Sequence, residues 1–378
     1  MIYLDNAATT YPKPLSVKNA VSAALQNYGA NPGRAGHTMS LKTAEEVYKC
    51  RTAAAGFFDA SGPECVAFTL NCTHALNYVI KGVLNPGDHV VVSCLEHNAV
   101  MRPLRALADR EITFTAAAVY PGDNDATVNA FRQALTSKTR LIVCTHASNV
   151  FGVRLPIERI AALGHQYGIP IAVDCAQTAG VLPIHMTEYG LDYLCIAGHK
   201  GLYAPMGTGI LITEKGAELA TLIEGGTGTN SISHLQPDTM PDRMESGTQN
   251  VPGIAGLRAG IEFVEKKKTE EIYKHEMDLI RYMYRELSKI EGVTLYTQEP
   301  TAPYYAPVLS FNVGDLQSET AAQKLNTYGI AVRAGLHCAP SAHEFVGTLQ
   351  RGTVRVCPSI FNRADEIKTF ISAVKKII

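Results

Sequence analysis

Short apolar runs bounded by turn residues alternate, over the first two thirds of the chain, with segments whose apolar positions recur at helical spacing. The apolar runs predict strands, and the segments between them predict helices. Strands that alternate with helices along a chain are typical of a mainly parallel sheet covered on both faces. The strands are predicted at 89–93, 139–144, 170–174, 192–196 and 207–213, and the helices at 43–57, 73–84, 98–108 and 157–167.

The pattern differs at the two ends of the chain. The first forty residues are rich in Gly, Pro and Asn and predict irregular structure. Beyond residue 253, one long helical stretch precedes a series of short strands and helices, which predicts a smaller α+β domain. We therefore expect an N-terminal arm at 1–15 that associates with the small domain, a large domain at 16–258 and a small domain at 259–378. The predicted elements of the small domain are a helix at 254–290, strands at 293–296, 307–313, 329–333 and 353–357, and helices at 317–327 and 363–376.

Composition narrows the class of protein. The 378 residues include 34 Lys and Arg against 35 Asp and Glu, which argues against a basic nucleic-acid-binding surface. With 46% hydrophobic residues the chain is not a disordered, highly charged one. Nine scattered cysteines without a CxxC pair favour neither a disulfide framework nor a metal site. No signal sequence or apolar window of about 18 residues is evident, so we expect a cytoplasmic enzyme without a membrane span.

A lysine and an aspartate follow two neighbouring predicted strands. Lys200 comes just after the strand at 192–196, and Asp174 ends the strand at 170–174. Open α/β sheets bind ligands at the carboxyl ends of their strands. Pyridoxal 5'-phosphate (PLP) needs a lysine for its Schiff base and an anion opposite its pyridinium nitrogen. The pair therefore indicates a PLP site, although in isolation a surface lysine and a helix-capping aspartate would give the same pattern.

Further polar residues fall at the same predicted edge of the sheet. Thr73 begins a predicted helix, where it is either a phosphate-binding residue or a plain N-cap. His97 follows a predicted strand and is placed to stack on an aromatic cofactor or to cap the next helix. Asn149 follows another strand, and Gln177, three residues after Asp174, is placed to hydrogen-bond the ring hydroxyl of the cofactor.

A family resemblance extends over nearly the whole chain and is carried by motifs in a fixed order. The opening motif resembles the start of cysteine desulfurases, and the set as a whole resembles the class V aminotransferase branch of the fold-type I PLP enzymes. The compact segment around Cys338 is similar to that of group II desulfurases and selenocysteine lyases. The resemblance implies an α/β fold of fold-type I, with a mainly parallel seven-stranded sheet in the large domain and a smaller C-terminal α+β domain. The motifs are Tyr3-Leu4-Asp5-Asn6-Ala7-Ala8-Thr9-Thr10, Asn71-Cys72-Thr73, Glu96-His97-Asn98, Ser148-Asn149-Val150, Asp174-Cys175-Ala176-Gln177, Gly198-His199-Lys200, Glu245-Ser246-Gly247-Thr248-Gln249-Asn250, Arg333-Ala334-Gly335-Leu336-His337-Cys338-Ala339 and Val354-Arg355-Val356-Cys357-Pro358-Ser359.

The resemblance also implies roles for individual residues. Lys200 would form the Schiff base with PLP and move protons, and His97 would stack on the ring and act as a second acid/base group. Arg355 would bind the α-carboxylate of the substrate as a bidentate fork, a task that lysine performs poorly. Thr248 would reach the cofactor phosphate of a neighbouring subunit, which implies a homodimer. The other cofactor contacts would come from Asp174, Gln177, Cys72, Thr73 and His199, and the other substrate contacts from Asn149 and Ala7.

Cys338 decides which reaction the resemblance implies. A desulfurase uses a cysteine thiolate to take sulfur from L-cysteine, or selenium from selenocysteine, which leaves L-alanine and a persulfide on the enzyme. We expect Arg333 and His337 to supply positive potential that favours the thiolate. The short segment implies that sulfur passes to a dedicated acceptor protein. Without this context, a lone cysteine is more often an inert buried residue.

Some features depart from the family pattern. Ala197 stands where many relatives have a phosphate-binding Ser, and Leu336 stands where group II enzymes often have His. Residues 224–231 are unusually rich in Gly and Thr, as in a flexible surface loop or in a lid over the site. Two alternatives therefore stay open. One is another class V enzyme (an aminotransferase, epimerase or lyase) in which Cys338 is incidental, and the other is a non-catalytic scaffold that binds PLP or a sulfur-carrier partner.

Overall fold

A computed structural model describes residues 1–33 and 36–378 of the chain. The strands are β1 (Ile2–Tyr3), β2 (Val66–Thr69), β3 (His89–Ser93), β4 (Thr113–Ala117), β5 (Thr139–Thr145), β6 (Ile171–Asp174), β7 (Tyr193–Ala197), β8 (Gly209–Ile212), β9 (Val293–Leu295), β10 (Leu309–Val313), β11 (Ile330–Ala331), β12 (Arg333–Gly335) and β13 (Thr353–Val356). The helices are α1 (Leu15–Asn27), α2 (Thr38–Phe57), α3 (Cys72–Val83), α4 (Asn98–Ala106), α5 (Asn124–Ala134), α6 (Ile157–Gln166), α7 (Met186–Tyr189), α8 (Val251–Lys267), α9 (Thr269–Leu287), α10 (Ser318–Thr327), α11 (Pro340–Val346) and α12 (Ala364–Ile377). None of these helices is long and apolar enough to cross a membrane.

Seven strands form the central sheet in the order β2-β8-β7-β6-β5-β3-β4. Every pairing from β7 to β4 is parallel, whereas β8 runs antiparallel to both of its neighbours. Strands β3, β6 and β7 are buried along their whole length, as expected for a sheet that is covered on both faces. The predicted fold class, with a mainly parallel seven-stranded sheet, is confirmed.

The core lies on both faces of this sheet and follows the two-residue period of its strands. Val91 and Ile142 point to one face, where they pack with apolar residues of α2, α6 and α8. Their neighbours Val90 and Val143 point to the other face, where they pack with α3 and α4. This alternation fixes the register of each strand, because a shift of one residue would exchange the two faces.

A second, antiparallel sheet has the order β12-β13-β10-β9. Its buried face packs against α9, α10 and α12 in a separate apolar cluster that includes Phe311 and Phe370, whose rings are 5.9 Å apart. Strand β1 pairs in parallel with β11, and the side chain of Leu4 is buried in the same cluster. The division into an arm, a large domain and a small domain stays a prediction.

Three expectations about the elements were wrong. The strand expected at 329–333 is two short strands, β11 and β12, which belong to different sheets. The first forty residues are not irregular throughout, because helix α1 lies between the Pro-rich segment and the loop before α2. Its buried residues, Val17 and Ala24, are too few to give a clear helical pattern in the sequence. The helical stretch expected at 254–290 is two helices, which separate at Lys268 where the backbone φ is +66°.

Candidate active site

A cavity of about 240 Å³ opens where the carboxyl ends of β5, β6 and β7 meet. This is the edge at which open α/β sheets bind ligands. Eight of the site residues expected from the sequence line it together, although they come from five separate segments of the chain. They are Cys72, Thr73, His97, Asn149, Asp174, Gln177, His199 and Lys200.

Lys200 lies on a tight turn that begins where β7 ends at Ala197. The N-terminal arm fixes this turn, since Thr10 Oγ1 donates to Lys200 O at 2.9 Å and Lys13 Nζ donates to His199 O at 2.7 Å. Gly201 is required directly after the lysine, because a Cβ atom there would collide with the carbonyl oxygen of Ala179. Burial lowers the pKa of Lys200, and the nearby Asp174 carboxylate opposes that shift. A lysine of this kind gives up its proton more readily than an ordinary one and can act as a nucleophile or a base.

Asp174 ends β6 and is buried beneath the cavity. Its Oδ1 atom accepts hydrogen bonds from Ala176 N at 2.8 Å and from the Cys72 thiol at 3.3 Å. Burial raises the pKa of Cys72 well above its ordinary value, with Asp174 adding to the shift, so Cys72 remains a thiol. The thiol therefore supports the carboxylate, which gives the cavity a fixed anion on its inner wall.

The other end of the cavity suits a phosphate group. Helix α3 starts at Cys72, and the Asn71 side chain caps it by accepting from His74 N at 2.9 Å. The first N–H groups of a helix have no intrahelical partner and attract anions. His199 lies beside this helix start in the cavity wall, and its buried Nδ1 atom has no hydrogen-bond partner among the described residues. Burial lowers the pKa of His199 to about 4, so the neutral ring can donate one hydrogen bond to an anion.

Glu96 and His97 follow strand β3 and form hydrogen bonds that fix the side of the cavity between β3 and β5. His97 caps α4 through its Nδ1 atom, which accepts from Ala99 N at 3.0 Å, and burial lowers its pKa, so in the neutral ring the proton lies on Nε2. Glu96 is fully buried, and its Oε1 atom accepts from Thr145 N at 2.8 Å and from the Ser93 hydroxyl. Burial raises the pKa of Glu96 to about 8. Sequence reasoning included Glu96 only as part of a motif and missed its structural role.

The segment that carries Cys338 reaches the mouth of the cavity from the second sheet. Cys338 is exposed, and it follows Leu336 and His337 after the end of strand β12. The backbone φ angles of His337 and Cys338 are +50° and +56°, a left-handed conformation that costs roughly 1–2 kcal/mol per residue without glycine. Asn98 N donates to Cys338 O at 2.7 Å and Asn149 Nδ2 donates to His337 O at 2.8 Å. These bonds, from the start of α4 and from the turn after β5, place the cysteine beside the cavity and stabilise its strained backbone.

The expected positive potential from His337 is wrong. The His337 ring is buried, with Nε2 3.0 Å from Thr353 O. Burial lowers its pKa to about 2, and the nearby guanidinium of Arg355 contributes to the shift, so the ring is neutral. The other expected source, Arg333, is paired with Asp5, which accepts from Arg333 Nε at 3.0 Å.

Arg355 is buried on β13 and reaches toward the same region. Its Nη1 atom donates to Asn149 O at 2.9 Å and its Nη2 atom donates to Asp5 Oδ1 at 3.1 Å, whereas its buried Nε has no partner among the residues that the structure describes. Arg333 and Arg355 lie directly opposite each other on β12 and β13, so Asp5 offsets one of two positive charges. The remaining charge and the free N–H groups suit one carboxylate of a small ligand. The role of Asp5 was missed because its partners lie more than 300 residues away in the sequence.

Ala7 and Thr248 are the remaining site residues expected from the sequence. Ala7 is buried and contributes its backbone, since its carbonyl oxygen accepts from Gln177 Nε2 at 3.1 Å. Thr248 does not line the cavity of Lys200. It is exposed and borders a second cavity of about 230 Å³, together with Thr69 and His74.

Comparisons with known proteins agree with this geometry. The solved apo structure of a cysteine desulfurase from Thermococcus onnurineus NA1 is similar to the whole chain, with a TM-score of 0.90, 29% identity and coverage of 94% of that chain. Proteins with the curated name "Probable cysteine desulfurase" from Methanothermobacter thermautotrophicus and Xylella fastidiosa (strain 9a5c) are each 32% identical over 385 residues. The matches cover all of this chain and 94% and 91% of those proteins. The family model for class-V aminotransferases matches residues 2–370, and the chain therefore belongs to the class-V aminotransferase family.

Proposed function

We propose that this protein is a PLP-dependent cysteine desulfurase, which removes sulfur from L-cysteine to give L-alanine and a persulfide on Cys338. The observation that carries the proposal is the exposed Cys338, which Asn98 N and Asn149 Nδ2 hold at the mouth of the cavity of Lys200 and Asp174. The names of its relatives support the same activity.

PLP is the cofactor of this family, and the residues of the cavity fit it. Lys200 offers an amine for the Schiff base, and Asp174 offers a buried anion for the ring nitrogen. The start of α3 at Cys72 and Thr73 offers N–H donors for the phosphate, and so does the His199 ring, whose Nδ1 atom has no partner among the described residues. When bound, PLP would act as an electron sink that weakens the bonds to the α-carbon of an amino acid.

The residues around the cavity are suited to bind the substrate and to move its α-proton. Arg355 Nε and its neighbouring N–H groups bind the α-carboxylate, which orients the amino acid toward Lys200. Burial and the lowered pKa of Lys200 make its neutral amine available at Nζ, where it takes the α-proton and later returns it. His97 Nε2 carries a proton on the other wall of the cavity.

Sulfur transfer follows from the position of Cys338. Its thiolate attacks the sulfur atom of the substrate, so an S–S bond forms and the Cβ–S bond breaks. The electron pair of the broken bond stays with the substrate carbon, which takes up a proton to become the methyl group of L-alanine. The sulfur remains on Cys338 as a persulfide.

We further propose a homodimer and a sulfur-acceptor protein. Thr248 is exposed and lies outside the cavity of its own chain, which supports a contact with the cofactor phosphate of a second subunit. Cys338 is tied by short hydrogen bonds and cannot travel far, so an acceptor thiol has to approach the exposed persulfide. The mass of the protein in solution tests the homodimer, and sulfur transfer to added thiol proteins tests the acceptor.

The test of the activity compares sulfide and alanine release from L-cysteine, with a reductant present, between the native protein and Cys338→Ser. We expect equal amounts of both products from the native protein and a loss of at least about 10²-fold in the variant, with PLP absorbance unchanged. The matched control is Cys94→Ser, a half-buried cysteine outside the cavity, which should keep full activity. Undiminished sulfur release from Cys338→Ser, or amino transfer to a 2-oxo acid without sulfur release, would instead favour another class V reaction.

A further inference from the structure

Asn149 contacts two functional groups at once. Its side-chain Nδ2 donates to His337 O at 2.8 Å, in the peptide bond directly before Cys338. Its backbone carbonyl oxygen accepts from Arg355 Nη1 at 2.9 Å. Asn149 also lines the cavity of Lys200. Asn149 therefore contacts the cavity, the buried Arg355 and the strained segment of Cys338 at the same time.

The turn that carries Asn149 is rigid. The Ser148 hydroxyl accepts from the backbone N–H groups of Val150 and Phe151, both at 3.2 Å, and Ser310 donates to Val150 O at 2.6 Å. Gly152 has a φ of +67°, and a Cβ atom there would lie 2.6 Å from Val308 O. A residue on such a turn can hold a less stable segment in place, because the turn itself does not give way.

We propose that Asn149 is a positioning residue for the nucleophile, and that its amide holds the peptide bond at His337 so that Cys338 faces the substrate bound at Arg355. The inference rests on the proposed function, because it takes Cys338 as the sulfur acceptor. Among the described residues, the left-handed pair is held against the rest of the chain by the hydrogen bonds to His337 O and Cys338 O and by those of the His337 ring with Thr353. The loss of one of them should let the segment relax toward an ordinary backbone.

The simpler role for Asn149 is a contact with the substrate carboxylate alone. In that case its removal would raise the KM for L-cysteine and leave the Cys338 segment undisturbed. In our proposal its removal loosens the segment without substrate present and lowers kcat for alanine formation by more than it raises KM. Asn149→Ala removes the donor, and Asn149→Asp keeps the size of the side chain but replaces the donor with an acceptor that repels His337 O.

The experiment measures hydrogen–deuterium exchange of the PLP-loaded protein in peptides that cover 97–99 and 336–342, together with steady-state kinetics. We expect exchange of the Asn98 and Ala339 amides to be about tenfold faster in both variants, which corresponds to about 1.4 kcal/mol. The matched control is Asn129→Ala, which removes an exposed asparagine from α5 and should match the native protein in both measurements.

The outcomes separate this inference from the function on which it rests. Faster exchange with a fall in kcat supports the inference. Unchanged exchange with a raised KM, or unchanged exchange and kinetics, overturns it and leaves the desulfurase proposal intact. If the native protein releases no sulfur from L-cysteine, the proposed function fails first, and faster exchange would then show only that Asn149 orders the segment.

Discussion

The wall of the cavity and the segment that carries Cys338 are stabilised in opposite ways. Asp174 and Lys200 stand at the ends of strands that are buried along their whole length, so the apolar core holds them. His337 and Cys338 have left-handed backbones just after a three-residue strand, and hydrogen bonds from Asn98 and Asn149 hold them. Burial stabilises the first region and polar contacts of high directionality stabilise the second.

The difference matches the tasks that we propose for the two regions. A cofactor needs a cavity that stays the same through each cycle, and a close-packed core provides this. A nucleophile that receives sulfur and passes it on has to remain accessible, and Cys338 is exposed. Substitutions in the cavity wall should therefore act on chemistry or on global stability, whereas substitutions in the Cys338 segment should act on sulfur transfer alone.

The largest effect on activity is expected from a substitution of Lys200. In the proposed function, Lys200→Ala removes the amine that would hold the cofactor and move the α-proton, so alanine release should fall by at least about 10³-fold. Unlike Cys338→Ser, it should also abolish the Schiff-base absorbance of the native protein. The free energy of unfolding should not fall, because burial of an ammonium group is itself unfavourable. A variant that retained a tenth of the native turnover would contradict the assignment of Lys200.

The second largest effect is expected from a substitution of Glu96, and it concerns how the free energy of unfolding depends on pH. The unfolded chain loses this proton near pH 4.5 and the folded protein near pH 8, so Glu96 makes the native protein less stable as the pH rises between these values. Glu96→Gln has no proton to lose. The free energy of unfolding of the variant should therefore increase relative to the native protein from pH 5 to pH 8, by at most about 1.4 kcal/mol per pH unit, and level off above.

Urea denaturation of both proteins at pH 5, 7 and 8.5 measures this slope. The amide brings its own constant cost, because the Oε2 position has no partner among the described residues and the new NH₂ group would lack an acceptor. Only the change with pH is therefore informative. Parallel curves for the two proteins would mean that Glu96 is ionised when folded, and that the wall of the cavity holds a charge.

The same contrast explains what the sequence could predict. Asp174 and Lys200 were found because buried strands leave short continuous apolar runs in the sequence, and the end of each run marks where the strand ends. The sequence did not predict that His337 is neutral or that Asp5 pairs with Arg333 and Arg355, because both depend on contacts between residues far apart in the chain. Helix α1 was missed for a local reason, since it buries too few residues to show an apolar stripe.

The smallest effect is expected at Leu336, where group II desulfurases often have His. Its side chain is 37% exposed, and the hydrogen bonds that hold the segment start from the backbone, from the His337 ring and from Asn149. The bond from Ala339 N to Leu336 O at 2.9 Å survives in Leu336→Ala because it uses only the main chain. We therefore expect alanine release within about twofold of the native rate and a loss of stability below about 1 kcal/mol, measured by steady-state kinetics and urea denaturation. A tenfold fall in kcat would show that side-chain packing, rather than the polar contacts, holds Cys338 in place, and the contrast between the two regions would no longer hold.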